Sequence, residues 1–196
     1  MRSQALENIE IIRDRKESSV NPGKFIVWLF IATIVMLFAA LTSAYLVKQG
    51  EGNWLHFNIP DIFWITSAII VTSSVTMHMA YVSAKRDNMD GIKIFLSLTM
   101  LLGLAFLAGQ YYSWSELVNQ DVFFVGNPAV SFIYVLTGLH GLHLISGMVF
   151  IAIVLYSAFK FRIHSKNLNK IEMSVTYWHF LGGLWLYLFF FLKIYH

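Results

Sequence analysis

Four histidines, His78, His140, His143 and His179, are the ionisable side chains set deepest within long apolar stretches of this sequence. His140 and His143 stand three residues apart in TGLHGLHLISG (Thr137–Gly147), so a helix would carry both on one face. His179 lies in YWHFLGGLWLY, about 12 Å into its stretch at 1.5 Å of rise per residue. Neutral imidazole ligates iron, copper and zinc, so histidines on facing helices could hold a haem or a metal ion. The same rings could instead hydrogen-bond across helix interfaces, beside glycines that let backbones approach closely. A haem needs room for its macrocycle, yet Gly138, Gly141, Gly147, Gly182 and Gly183 crowd these motifs. The expectation is therefore packing, with no metal and no cofactor ligated by this chain. With no cysteine, thiolate metal sites, iron–sulfur clusters, disulfides and c-type haem attachment are excluded.

Other polar residues in apolar surroundings call for partners more than for chemistry. One stretch carries Thr66, Ser67, Thr72, Ser73, Ser74 and Thr76, which could line a pore or, more ordinarily, hydrogen-bond between helices. Gln110 in LAGQYYSW is an amide deep enough to require a partner. Asp, Glu, Lys and Arg are absent from the middles of these stretches, and Glu116 and Glu172 fall near their ends. A small transporter or proton channel normally places such a group near the bilayer centre, which argues against that class. No phosphate-binding loop, nucleophile elbow or zinc-protease motif is present, so no catalytic residues are assigned.

The elements that must position these residues follow from composition. The chain has 196 residues, 57% hydrophobic and 13% charged, against about 25% charged in soluble domains, so lipid must be its main solvent. Crossing about 30 Å of hydrocarbon takes about 20 helical residues. Stretches that long fall near 25–47, 62–84, 92–117, 129–159 and 171–194, after a polar tail over residues 1–24. Without water, a spanning segment must satisfy its own backbone, so the expected fold is all-α, a bundle of five transmembrane helices. Asn21-Pro22-Gly23 ends any helix in the tail, and the tail lacks the apolar core of a cleaved signal. Of the 14 Lys and Arg, 12 fall in the tail and in the second and fourth connections, leaving only Lys48 and Lys193 opposite. By the positive-inside rule the amino terminus is cytoplasmic and the carboxyl terminus periplasmic. The same distribution, dispersed among loops, gives no basis for nucleic acid as a partner. Trp54, His56, Phe57, Trp64, Tyr111, Tyr112 and Trp114 read as anchors at the outer interface.

The last two stretches carry a resemblance. TGLHGLHLISG, a basic loop, Glu172 five residues before YWHF (Tyr177–Phe180), and a helix rich in Trp and Leu closely resemble subunit III of the haem–copper terminal oxidases. KFIVWLF, the Thr-Ser-rich second stretch and GQYYSWSEL extend the similarity from Lys24 to Tyr195. The chain looks like the short, five-helix bacterial form. The family commonly has glutamates where this chain has Ile34 and Ser113, and Val-Asp where Leu181-Gly182 stand, so any role of those acids does not carry over.

The resemblance implies a non-catalytic accessory subunit of a respiratory terminal oxidase in the bacterial plasma membrane, with haem and copper in partner subunits. It implies packing against the catalytic subunit I and other oxidase subunits, and binding of structural phospholipid. His140, Gly141, His143, Gly147, Gln110, Glu172, Tyr177, Trp178 and His179 are then the expected packing and interface residues. Lys24, Arg86, Lys160 and Arg162 are the expected contacts to lipid head groups. A di-haem cytochrome b-type anchor using these histidines stays open as an alternative, as do the related subunits of a quinol oxidase or nitric oxide reductase.

Overall fold

In a computed structural model, residues 22–52, 54, 61–119, 127–160 and 168–195 are described. They form five helices: α1 (Pro22–Gly50), α2 (Ile62–Lys85), α3 (Met89–Asn119), α4 (Pro128–Phe159) and α5 (Asn169–Tyr195). All five are long and apolar enough to span a membrane, and no strand occurs among the described residues. The 29 residues of α1 and 32 of α4 exceed the length needed, so these helices tilt or project beyond the hydrocarbon.

Local chemistry sets the ends. Pro22 and Pro128 open α1 and α4, where a missing N–H costs nothing. The Asn127 side chain accepts a hydrogen bond from the Ala129 N–H at 2.9 Å and so caps α4. Between α2 and α3 the chain turns within three residues: Asp87 takes φ of 51° and the Asn88 side chain accepts from the Gly91 N–H. A Cβ on Gly91 would stand 2.8 Å from Ser83 Oγ, so this hairpin closes tightly only over glycine.

Helices α2, α3, α4 and α5 close a ring in that order, each antiparallel to its neighbours. Across the ring, α1 lies outside in the groove between α4 and α5, and none of its Cα atoms comes within 8 Å of α2 or α3. It attaches by a single stripe, Ile31, Ile34, Phe38, Thr42 and Tyr45, with steps of three and four residues. One core lies inside the ring around Ile70, Phe106, Met148, Trp178 and Trp185; a second lies beneath α1 around Phe38, Tyr45, Leu136 and Leu188. Helix α5 feeds both. Lys24, Lys85, Lys93, Lys160 and Lys170 fall at one end of the bundle, Lys48 and Lys193 at the other.

Candidate functional site

Two tryptophans of α5 form the centre of the ring. Trp178 and Trp185, seven residues apart and both 1% exposed, point the same way into it. Trp178 Nε1 donates to Ser73 Oγ at 3.1 Å, and Trp185 Nε1 donates to Ser67 Oγ at 3.0 Å. Each serine hydroxyl in turn donates to its own helix, Ser73 to the Ile70 carbonyl and Ser67 to the Phe63 carbonyl, leaving its oxygen free to accept. The result is a two-rung ladder tying α5 to α2 in a medium that supplies no water. Thr76 and Thr99 pair at 2.8 Å between α2 and α3, and Gln110 Nε2 donates to Thr66 Oγ1 at 3.4 Å. Thr66, Ser67, Ser73 and Thr76 thus spend their hydroxyls inside the bundle, as interhelical bonding requires, whereas Thr72 is exposed and donates to the Ala68 carbonyl of its own helix. Gln110 Oε1 has no partner among the described residues.

Glycines make room for the indoles. A Cβ on Gly103 would stand 2.9 Å from Trp178 Cη2, and one on Gly147 would stand 2.9 Å from Leu181 Cδ1 and 3.3 Å from Trp178 Cε3. Trp178 is therefore seated between α3 and α4 on two glycines, one of them Gly147 as expected. A Cβ on Gly182 would stand 3.0 Å from Ser74 Oγ, and one on Gly109 only 2.5 Å from Thr66 Cγ2. The expected crowding fails elsewhere. Gly138 and Gly141 show only ordinary contact at 3.8 Å, and Gly183 meets nothing within 4 Å. Gly141 instead floors an open groove between α3 and α4, together with Gly138 and Gln110.

The histidines depart from the expectation of bonds across helices. His140 is wholly buried among the rings of Trp185 (5.2 Å between centroids), Phe106 (5.9 Å) and Phe38 (6.5 Å), which come from α5, α3 and α1. Neither of its nitrogens has a hydrogen-bond partner among the described residues. His143 Nδ1 lies 2.7 Å from the Leu139 carbonyl of its own helix, which can only accept, so Nδ1 carries the proton. Its ring packs on Phe38 and Phe30. His179 faces His78 of α2 at 6.2 Å between centroids. These imidazoles join helices through ring packing. Tyr177 supplies the expected cross-helix bond instead, pairing with Ser146 Oγ of α4 at 2.7 Å.

At the end where α1 and α5 begin, Glu172 binds Lys24 Nζ at 2.6 Å and accepts from the Tyr81 hydroxyl at 3.3 Å. Three helices meet in that one carboxylate. Lys24 is thus engaged by protein, while Arg86 and Lys160 are exposed at the same end; Arg162 lies outside the described residues. Trp54 stacks edge-on against buried Tyr45 at 4.7 Å. Tyr111 and Tyr112 remain outward, 72% and 61% exposed. Among the described residues no three His, Asp or Glu side chains gather as metal ligands would.

Residues 12–196 match the family model for cytochrome c oxidase subunit III. The chain belongs to that family. A cytochrome c oxidase subunit 3 from Corynebacterium diphtheriae is 30% identical over 168 residues, 82% of each chain. One from a Bacillus species is 28% identical, covering 90% of this chain and 87% of its own. A cytochrome bo(3) ubiquinol oxidase subunit 3 from Buchnera aphidicola is 26% identical, covering 91% and 97%. Family membership and five spanning helices make the chain a multi-pass membrane subunit of a terminal oxidase. Within the family's HGLH and YWHF motifs, the geometry separates roles that the motifs themselves do not: Trp178 and Gly147 interlock, Tyr177 bonds across to α4, and the histidines pack.

Proposed function

We propose that this chain is a non-catalytic accessory subunit of a respiratory terminal oxidase in the bacterial plasma membrane. Its amino terminus is cytoplasmic, and haem and copper reside in its partners, among them the catalytic subunit I. The observation that carries the reading is the use made of its polar side chains. The indole, hydroxyl and carboxylate bonds of Trp178, Trp185, Thr76 and Glu172 are made within this bundle. Such an arrangement holds a fixed shape against a neighbour. Structural phospholipid fits the exposed cations at the Lys-rich end, Arg86 and Lys160, beside the outward apolar side chains of α1 to α4. The electron donor is a property of the partners, and relatives named for both cytochrome c and quinol oxidases match this chain over most of its length.

Purification in mild detergent through a tag on this chain is the test. It should recover haem-bearing partners with oxygen-reducing activity. Recovery of the chain alone would contradict the reading, and a Soret band from the isolated chain would point to the di-haem anchor.

A further inference from the structure

An ionisable side chain facing hydrocarbon is costly, and those found at membrane depth are normally turned inward or paired. His78 is neither. It is exposed on α2, makes ring contacts with Tyr81 and His179, and has no hydrogen bond among the described residues. It lies seven residues before Lys85, so about 10 Å from the end of α2. The 24-residue helix is about 36 Å long against about 30 Å of hydrocarbon, which puts His78 about 7 Å below the hydrocarbon boundary. It opens onto a cleft of about 440 Å³, lined also by Lys24, Trp28, Tyr81, Glu172 and Thr176. The cleft exists because α1 rides on α4 and α5 and stands clear of α2.

We propose that this cleft seats a transmembrane helix of a partner oxidase subunit, one presenting a side-chain hydroxyl or amide to His78. The inference rests on the accessory-subunit reading. Depth selects a helix over a phospholipid head group. Lys24, Lys85 and Glu172 stand at the cleft mouth, and the imidazole lies below them and below the level of phosphate. A neutral imidazole offers one donor and one acceptor, which a hydroxyl or an amide can meet. By contrast the outer face of α1, with Met36 72% exposed among Val35 and Leu37, is apolar, as a lipid-facing surface should be.

The chain has no cysteine, so one residue at a time can carry a photoactivatable benzophenone maleimide. His78→Cys and, as control, Met36→Cys are labelled in native membranes, illuminated, and purified through a tag on this chain. The expected result is a covalent adduct from position 78 to a peptide of a haem-bearing partner subunit, with lipid adducts alone from position 36. Lipid adducts alone from both positions would overturn the inference while leaving the accessory role intact. Failure of unlabelled wild type to recover any haem-bearing partner would remove both. In a second measurement, His78→Leu should lower partner retention about threefold, intramembrane hydrogen bonds being weak, while His78→Gln keeps it. Equal retention by both variants would contradict the proposed bond.

Discussion

Trp178 shows how much one side chain organises. Its indole N–H finds Ser73 on α2, while its rings rest on Gly103 of α3 and Gly147 of α4, so one residue of α5 touches the three other helices of the ring. A double-mutant cycle of Trp178→Phe and Ser73→Ala should return a coupling of about 0.6 kcal/mol, and at most about 1.7, in detergent unfolding of the purified chain. The seat matters more than the bond. Gly147→Leu would drive a side chain into Leu181 and Trp178, at a cost of about 1–3 kcal/mol for overpacking. Gly183→Ala meets open space and Gly141→Ala ordinary contact, so both should assemble as wild type, read by the amount of complex recovered. The partly exposed Lys24–Glu172 pair is worth less. Lys24→Met and Glu172→Gln should each cost under about 1 kcal/mol, an effect that salt diminishes, and should be non-additive when combined.

The five spans were legible as elements because length and apolarity alone define a membrane helix, and Asn21-Pro22-Gly23 marked the start of the first; the Asn127 cap and Pro128 at the start of α4 come from the structure. The inward face of each helix was not. In a soluble helix a polar stripe marks the outside; here lipid and core are equally apolar, so that contrast is lost. Ser67 and Ser73 could be picked out because polar groups in lipid must find partners, and Trp178 through the YWHF resemblance, whereas Gly103 and Gly109 carried no such mark although their approaches are among the tightest in the bundle. The Lys24–Glu172 link spans 148 residues, and no local pattern announces a contact of that range. His140 packs by its ring and makes no cross-helix bond among the described residues, a distinction its sequence neighbourhood does not carry. The arrangement of elements carries its own prediction. Cysteines at Arg86, between α2 and α3, and at Glu51, after α1, occupy opposite ends of the bundle. An impermeant maleimide added outside intact cells should label Glu51→Cys and spare Arg86→Cys; the reverse pattern would invert the proposed orientation.

The whole molecule is a ring of four helices locked by tryptophans, with a fifth helix laid along its α4–α5 side and a cleft left beside that helix. On the proposed accessory role, damage to its core should reduce how much enzyme is assembled and leave each assembled enzyme unchanged. His143, whose hydrogen bond stays within α4 and whose ring meets Phe30 and Phe38 of α1, tests this where the family motif is strongest. The decisive measurement is oxygen-reducing turnover per haem, alongside the quantity of assembled oxidase, in membranes carrying His143→Leu. A scaffold predicts less assembled oxidase at the wild-type turnover per haem. Normal assembly with a lowered turnover per haem would place this histidine in the chemistry and contradict the account.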